Sequence, residues 1–311
     1  MDLETIIRGN KPGPHLTVFA AIHGNETVGV KAFEELLPNI SIDAGEVCFA
    51  IANPLALEVN KRQVNANMNR IFKEELNKNV PEFKRAKELK AIMDQSDALL
   101  DVHSFNDLKG EPFLICRPDM YDLAQQLPFR IVSTGWNKTH PGSTDWYMET
   151  IGKPGLGAEC GSLHRVNEYI TLAIQTIYGF LKYFGCVETI PKEYRFQSSV
   201  KQDFVMVEEQ VYKHDNNFSF GREFKNFDEL KSGELIAIDG DIQHFAKEGQ
   251  FILFPRSDKP VGGEVFLLGR RIDKIEGSVQ VEISICLIFL WRHTAKSLRD
   301  TRGSKIGLSR K

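Results

Sequence analysis

The sequence has little of what marks secreted, membrane-spanning or nucleic-acid-binding proteins. Its five cysteines are odd in number and widely spaced, which favours reduced core thiols over a disulfide framework. The longest uncharged apolar run, Ile283 to Trp291, is far shorter than the roughly 20 residues that span a bilayer, and it predicts a strand instead. The net charge is −3 and basic residues are scattered along most of the chain, so no basic face indicates nucleic acid. We therefore expect a small-molecule partner, no nucleic acid and no membrane.

The first residues also lack the order of a secretory signal. Met1 to Gly9 carries acids at Asp2 and Glu4 instead of a basic stretch followed by an apolar one, so we expect a cytoplasmic protein. Hydrophobic residues make up 42% of the chain and charged residues 26%, which is typical of a soluble globular protein. At 311 residues the chain exceeds the usual size of a single hydrophobic core, and this length predicts two domains.

A histidine and a glutamate lie three residues apart in the segment His23-Gly24-Asn25-Glu26. This segment falls between the apolar run Leu16 to Ile22, which predicts a buried strand, and the helical pattern of Val28 to Leu37. Where a strand is followed by a helix, both side chains can turn toward one cation. Catalytic zinc sites typically have three protein ligands and one open position. The segment therefore predicts part of a zinc site that needs a third ligand.

His103 is the candidate for that third ligand. The run Ala98 to Val102 predicts another strand, and His103 follows its carboxyl end. In open α/β sheets, ligands gather at the carboxyl ends of the strands, so His103 can meet His23 and Glu26 there. Asp101 is a candidate acceptor for a hydrogen bond from a metal-binding histidine.

The segment from Asn53 to Phe72 contains five asparagines and two arginines. Two interpretations are open at this point. The segment is either an ordinary surface loop or a rim of the active site. In the second case, Arg62 and Arg70 offer planar groups that bind a carboxylate or a developing oxyanion.

Glu159 follows a short apolar run bounded by glycines, Gly155 to Ala158, and this pattern predicts a strand that ends in a carboxylate. A buried charge is costly unless it has a partner. Glu159 is therefore interpreted either as a general base beside an activated water or as a structural residue in a salt bridge.

The order of predicted elements indicates an α/β fold. Strand, helix and strand alternate near the amino terminus, and the apolar stripe from Val166 to Phe184 predicts a long helix on the sheet. After about Ser198, short β-like runs separated by turns predict a small β domain. We predict a catalytic domain at residues 1–190, a C-terminal β domain at 198–283, and a terminal strand and basic tail at 284–311.

Four motifs, in order, resemble those of the succinylglutamate desuccinylase and aspartoacylase family, within the zinc carboxypeptidase superfamily. They are HGNE at 23–26, the NPLA, NKR and NxNRIF block at 53–72, DVHS at 101–104, and AECG at 158–161. The resemblance covers the amino-terminal two-thirds of the chain by motif. It implies a zinc-carboxypeptidase-like fold with a mixed, mainly parallel sheet flanked by helices and a smaller C-terminal β domain.

The resemblance also implies roles for the site residues. It implies one zinc ion per chain, held by three side chains: His23, Glu26 and His103. Glu159 would promote the attack of water, and Arg62 would polarise the scissile carbonyl. Asn69 and Arg70 would hold a carboxylate of the substrate. The expected reaction is the hydrolysis of the amide bond of a small, carboxylate-bearing N-acyl amino acid.

The chain departs from the family pattern in two places. Asn67 stands where the family usually has an aspartate, and Ser104-Phe105-Asn106 match neither named activity. Two alternatives are therefore kept beside the deacylase: a metallocarboxypeptidase that acts on peptides, and a metal-binding regulatory protein without turnover. The β domain can wall the cleft or support contacts in a homo-oligomer.

Overall fold

The computed structural model describes residues 2–73, 75, 79–197 and 201–273. The strands in these ranges are β1 (Glu4–Arg8), β2 (Lys11–Ala20), β3 (Ala44–Ile51), β4 (Ala98–Phe105), β5 (Phe113–Ile115), β6 (Ile131–Thr134), β7 (Gly155–Ser162), β8 (Asp203–Tyr212), β9 (Phe218–Phe220), β10 (Asp228–Glu229), β11 (Leu235–Asp239), β12 (Ile242–Phe245), β13 (Gln250–Leu253) and β14 (Glu264–Ile272). The α-helices are α1 (Val28–Leu36), α2 (Pro54–Glu58), α3 (Pro81–Gln95), α4 (Tyr121–Ala124), α5 (Trp136–Thr139), α6 (Thr144–Thr150) and α7 (Ile170–Tyr183). Short 3-10 turns occupy Met68–Arg70, Pro118–Met120, Val166–Glu168 and Lys192–Tyr194.

Eleven of the described strands form one mixed sheet in the order β1-β3-β2-β4-β7-β5-β6-β8-β14-β13-β10. The neighbours β3, β2, β4 and β7 run parallel to one another, whereas β8, β14, β13 and β10 are joined by antiparallel pairs. A separate three-stranded sheet has the order β12-β11-β9. The predicted fold class, a mainly parallel mixed sheet with helices followed by C-terminal β structure, is confirmed.

Helices cover both faces of the central strands, which explains why these strands read as continuous apolar runs. On one face, α1 and α7 bury their apolar sides in a cluster with alternate residues of β2, such as Val18 and Ala20. On the other face, α3 packs with Phe19 and Leu99. All eight residues of β4 are buried as a result. The carboxyl ends of β2, β4 and β7 are thereby held together at one edge of a rigid sheet.

Two predicted positions near the site need correction. His103 and Glu159 were expected at the ends of their strands, but they lie inside β4 and β7. The reason is the pairing of these strands, which are parallel with His103 opposite Glu159. Pairing with a distant strand lengthens each element beyond its apolar run.

Some predictions concern residues outside the described ranges: the strand from Ile283 to Trp291, the tail at 284–311 and Cys286. The four cysteines within the described ranges are buried and unpaired. Among the described helices, none combines the length and hydrophobicity that crossing a bilayer requires. The division into domains near residue 190 stays a prediction, and within the described chain β8 continues the main sheet by pairing with β6.

Candidate active site

The candidate site lies at the carboxyl edge of the central strands. His23 and Glu26 belong to the short connection between β2 and α1, while His103 and Glu159 are opposite each other on β4 and β7. The connection turns at Ala21, whose positive φ of 55° is uncommon for a residue other than glycine. Residues far apart in sequence therefore meet where parallel strands gather their ligands.

Three buried side chains form a compact donor cluster: His23, Glu26 and His103. One donor atom from each lies within 4.8 Å of the other two. Glu26 Oε1 is 2.8 Å from His23 Nδ1, and Glu26 Oε2 is 2.9 Å from His103 Nδ1. Despite the short distance, His23 Nδ1 has no aligned hydrogen-bond partner in the described part of the chain. A buried nitrogen that has no aligned hydrogen-bond partner and lies near two other potential metal ligands is suited to bind a cation.

The outer nitrogen of each ring faces an acceptor. His23 Nε2 lies 3.1 Å from Asn67 Oδ1, and His103 Nε2 lies 3.2 Å from Asp101 Oδ2. Such acceptors accept a hydrogen bond from the protonated ring nitrogen, which leaves the other nitrogen available to a metal. Both Nδ1 atoms are accordingly turned toward Glu26, as a metal site requires. The same Asp101 oxygen accepts a hydrogen bond of 2.6 Å from Thr144 Oγ1.

The charges of the cluster favour a bound cation. Burial lowers the pKa of His23 to about 4, although Glu26 opposes this shift, so the ring is neutral near pH 7. Burial also lowers the pKa of His103, but Asp101 and Glu26 together raise it well above its usual range. Burial opposes the ionisation of Glu26, and its contacts with the two histidines hold its pKa well below the usual range. This negative environment stabilises either a proton or a metal ion.

Glu159 contributes a carboxylate beside the cluster. It lines the same cavity, and its Oε2 atom is buried without a hydrogen-bond partner among the residues that the structure describes. Burial raises the pKa of Glu159 to about 7, although the charge of His103 opposes the increase. A carboxyl group with one unpartnered oxygen, whose pKa lies near neutrality, is suited to both accept and donate a proton.

The asparagine and arginine segment forms one rim of the cavity rather than a detached surface loop. Arg62 Nη1 donates to Glu26 Oε1 at 2.9 Å, while its side chain remains 49% exposed. Burial lowers the pKa of Arg70 to about 10. The Asn69 side chain is held by the backbone N–H of Thr144, which donates to Asn69 Oδ1 at 3.0 Å. The predicted substrate-binding residues thus face the cavity that contains the donor cluster.

The cavity has a volume of about 770 Å³. Its wall also includes His140 and four residues from the C-terminal β structure, where the sequence showed no strong catalytic motif: Gln210, Arg256, Lys259 and Glu264. Thr144, which binds both Asp101 and Asn69, was not singled out either. The sequence feature that could have indicated Thr144 is Ser143, which precedes it and caps the helix α6 by accepting the Trp146 N–H. The residues after 200 carry no comparable signal because only the folding of the sheet brings them to the cavity.

The fold and the site define a class: an α/β protein with a buried His-Glu-His cluster at the carboxyl edge of its parallel strands. The family model for the succinylglutamate desuccinylase/aspartoacylase catalytic domain matches residues 12–183. The succinylglutamate desuccinylase of Shewanella putrefaciens is 26% identical over 285 residues, which cover 82% of each chain. The chain therefore belongs to the succinylglutamate desuccinylase/aspartoacylase family, a family of amide hydrolases, as the four motifs predicted.

Solved structures of similar proteins share the fold. The succinylglutamate desuccinylase of Vibrio parahaemolyticus superposes with a TM-score of 0.72 at 20% identity, covering 87% of this chain and 86% of that one. A succinylglutamate desuccinylase/aspartoacylase from Rhodobacter sphaeroides gives a TM-score of 0.69 at 18% identity, covering 87% and 89%. Both alignments extend well beyond the 172 residues of the family model (12 to 183) and include part of the C-terminal β structure.

Proposed function

We propose that the protein is a zinc-dependent amidohydrolase that deacylates a small N-acyl amino acid. The observation that carries this proposal is the Glu159 carboxylate, whose buried Oε2 atom has no hydrogen-bond partner among the described residues and which lines the cavity of the His23, Glu26 and His103 cluster. Two histidines and one glutamate are a donor set of catalytic zinc sites. Zinc held there supplies Lewis acidity, which polarises a carbonyl group and lowers the pKa of water. A site that only bound metal would not need Glu159.

The protein side chains supply proton transfer, stabilisation of the carbonyl oxygen and substrate binding. Glu159 takes a proton from the attacking water and returns it to the leaving nitrogen. The Arg62 guanidinium donates hydrogen bonds to the carbonyl oxygen as negative charge develops on it. Asn69 and Arg70 hold a carboxylate of the substrate, for which the planar guanidinium is well suited.

Basic side chains in the cavity wall support a carboxylate-bearing substrate, although five acids line the same cavity: Glu26, Asp107, Asp145, Glu159 and Glu264. Four basic side chains line it: Arg62, Arg70, Arg256 and Lys259. The curated relative from Shewanella putrefaciens is a succinylglutamate desuccinylase by name, so N-succinylglutamate is the first substrate to test. N-acetylaspartate and a dipeptide complete the panel, and the dipeptide tests the carboxypeptidase alternative.

The test compares the wild-type protein with Glu159→Gln on this panel, with and without a chelator. We expect about one zinc ion per chain in both proteins, because Glu159 is not among the three ligands. Hydrolysis by the wild type should stop with the chelator and return with zinc. Glu159→Gln should lower kcat by about 10²- to 10⁴-fold, since the base is lost while zinc remains.

Glu34→Gln is the matched control, because Glu34 is an exposed glutamate of α1 that pairs only with Lys31 in the described contacts. It should leave both zinc content and kcat unchanged. A wild-type protein that holds no zinc and hydrolyses nothing in the panel would refute the proposed function. Zinc without hydrolysis would instead support the regulatory alternative.

A further inference from the structure

Arg62 lies on a segment without helix or strand, residues 59–67, which we call the arginine loop. The arginine loop connects α2 to the 3-10 turn Met68–Arg70. Because the Arg62 side chain is 49% exposed, packing around the guanidinium does little to fix its position. That position depends on the hydrogen bond from Arg62 Nη1 to Glu26 Oε1 and on the contacts that hold the backbone of the loop.

Glu82, in the first turn of α3, binds this backbone directly. Its Oε1 atom accepts the N–H of Val64 at 2.9 Å and the N–H of Asn65 at 2.7 Å. The Asn65 side chain adds a contact of 3.4 Å to Oε2. Glu82 is only 1% exposed, although glutamate is among the residues least often buried. Hydrogen bonds to an ionised carboxylate are about twice as strong as neutral ones, so Glu82 is an effective anchor.

The charge of Glu82 is stable in this position. Burial opposes ionisation, but the N–H groups of Asn65 and Val64 hold the pKa of the Glu82 carboxyl below its usual range. The amino-terminal end of α3 also favours a negative charge. The anchor therefore remains charged at neutral pH.

The helix that carries Glu82 is itself held in place by the burial of its apolar side chains. Phe83, Ala86 and Leu89 are buried in one cluster with residues of the central strands. A second contact joins the arginine loop to residues 23–26, which we call the candidate metal segment, since the Gly24 N–H donates to the Arg62 carbonyl oxygen at 3.3 Å. The backbone around Arg62 is thus tied both to the donor cluster and, through Glu82, to α3.

We propose that Glu82 is a positioning residue for the reaction and acts through the arginine loop on Arg62. The inference rests on the proposed function, in which Arg62 stabilises the oxygen of the scissile carbonyl. Without the carboxylate, the N–H groups of Val64 and Asn65 lose their acceptor and the guanidinium is displaced from that oxygen. A donor that acts as charge develops affects kcat more than KM, so the loss falls on kcat.

The test is a double-mutant cycle of Glu82→Ala and Arg62→Ala with the best substrate of the wild type. Glu82→Ala should lower kcat by about tenfold or more, as expected for a misplaced catalytic group. KM should stay within about twofold and zinc content should not change. In the Arg62→Ala background, Glu82→Ala should have little further effect, because the group that the loop positions is already absent. Glu82→Gln, whose amide oxygen still accepts both N–H bonds, should recover most of the loss.

Hydrogen exchange provides a readout independent of activity. The amides of Val64 and Asn65 should exchange faster in Glu82→Ala than in the wild type, while those of β4 should not. Glu88→Ala is the control on the same helix, because the Glu88 carboxylate pairs with Arg85 and is half exposed. It should change neither exchange nor kcat.

An equal loss of kcat from Glu82→Ala in both backgrounds would overturn the inference, since it would show a general structural effect. So would unchanged exchange at Val64 and Asn65. If Glu82→Ala does not fold, Glu82→Asp takes its place in the cycle, because it keeps the charge but shortens the reach. A wild-type kcat in Arg62→Ala would instead refute the proposed role of Arg62, and with it the inference.

Discussion

The two histidines of the donor cluster differ in the charge of the group behind them. His103 is backed by the carboxylate of Asp101, whereas His23 is backed by the neutral amide oxygen of Asn67. A carboxylate in this place increases the basicity of the imidazole and attracts the cation, and an amide does so less. The departure of Asn67 from the family pattern therefore predicts a weaker hold on a metal ion through His23.

We expect Asn67→Asp to tighten zinc binding by about tenfold, at the lower end of the effects measured for such outer acceptors. The aspartate can keep both contacts of Asn67 Oδ1, one to His23 Nε2 and one to the Asn69 N–H. Competition between the metal-free protein and a chromogenic chelator measures the zinc Kd. Asp101→Asn is the matched control and should weaken binding by about 10- to 100-fold. A Kd in Asn67→Asp no lower than that of the wild type would contradict the prediction.

At the scale of secondary structure, the candidate metal segment depends on its packing against α2. Gly24 approaches this helix so closely that an added Cβ would lie 2.0 Å from the Ala56 carbonyl carbon and 2.2 Å from the Leu57 nitrogen. Both atoms belong to backbone, which cannot move aside as a side chain would. The helix is itself fixed by Asn53, whose side chain accepts the Ala56 N–H. The close contact with the backbone of α2 therefore requires a glycine at this position of the HGNE motif.

Gly24→Ala should displace the segment and weaken zinc binding, with a loss of stability of about 1–3 kcal/mol from overpacking. The zinc Kd and thermal unfolding of the metal-free protein measure the two effects. Gly233→Ala is the control: its φ is +78°, and no heavy atom lies within 4 Å of the added Cβ. Its backbone strain costs about 1–2 kcal/mol and should leave the zinc Kd unchanged. Equal zinc affinities in the two variants would contradict the argument.

Local sequence patterns predicted which strands and helices surround the site, but they predicted less well where each one begins and ends. The apolar runs before His23 and His103 correspond to β2 and β4, and the helical pattern after Glu26 corresponds to α1. These runs are readable because helices bury the central strands on both faces. By contrast, the placement of His103 and Glu159 inside their strands follows from pairing between distant segments. The contact of Glu82 with the arginine loop was equally invisible, because an acid at the start of a helix is ordinary in sequence.

At the scale of the whole molecule, the cavity is built from both parts of the predicted division. Residues such as Gln210 and Glu264 complete a wall begun by His23 and Arg62. The pairing of β6 with β8 places strands from both parts of this division in one sheet. One hydrophobic cluster also joins Phe113 and Trp136 to side chains from β8, β13 and β14. Turns and short β-like runs in the sequence correctly indicated a change of architecture, but they contain no information about this shared core.

We therefore expect the compact unit Met1–Ile272 to unfold in one cooperative step. Differential scanning calorimetry of the full chain should give one main transition for this unit, with calorimetric and van't Hoff enthalpies that agree. A fragment of residues 1–197 should show no cooperative transition, because it lacks β8 and exposes the apolar side chains of Phe113 and Trp136 that strands after residue 200 cover. Co-expression of this fragment with residues 198–311 is the control and should restore the transition if the shared core can form from two pieces. Independent cooperative unfolding of the 1–197 fragment would contradict the prediction, because it would mean that the strands around the candidate site have a sufficient core of their own.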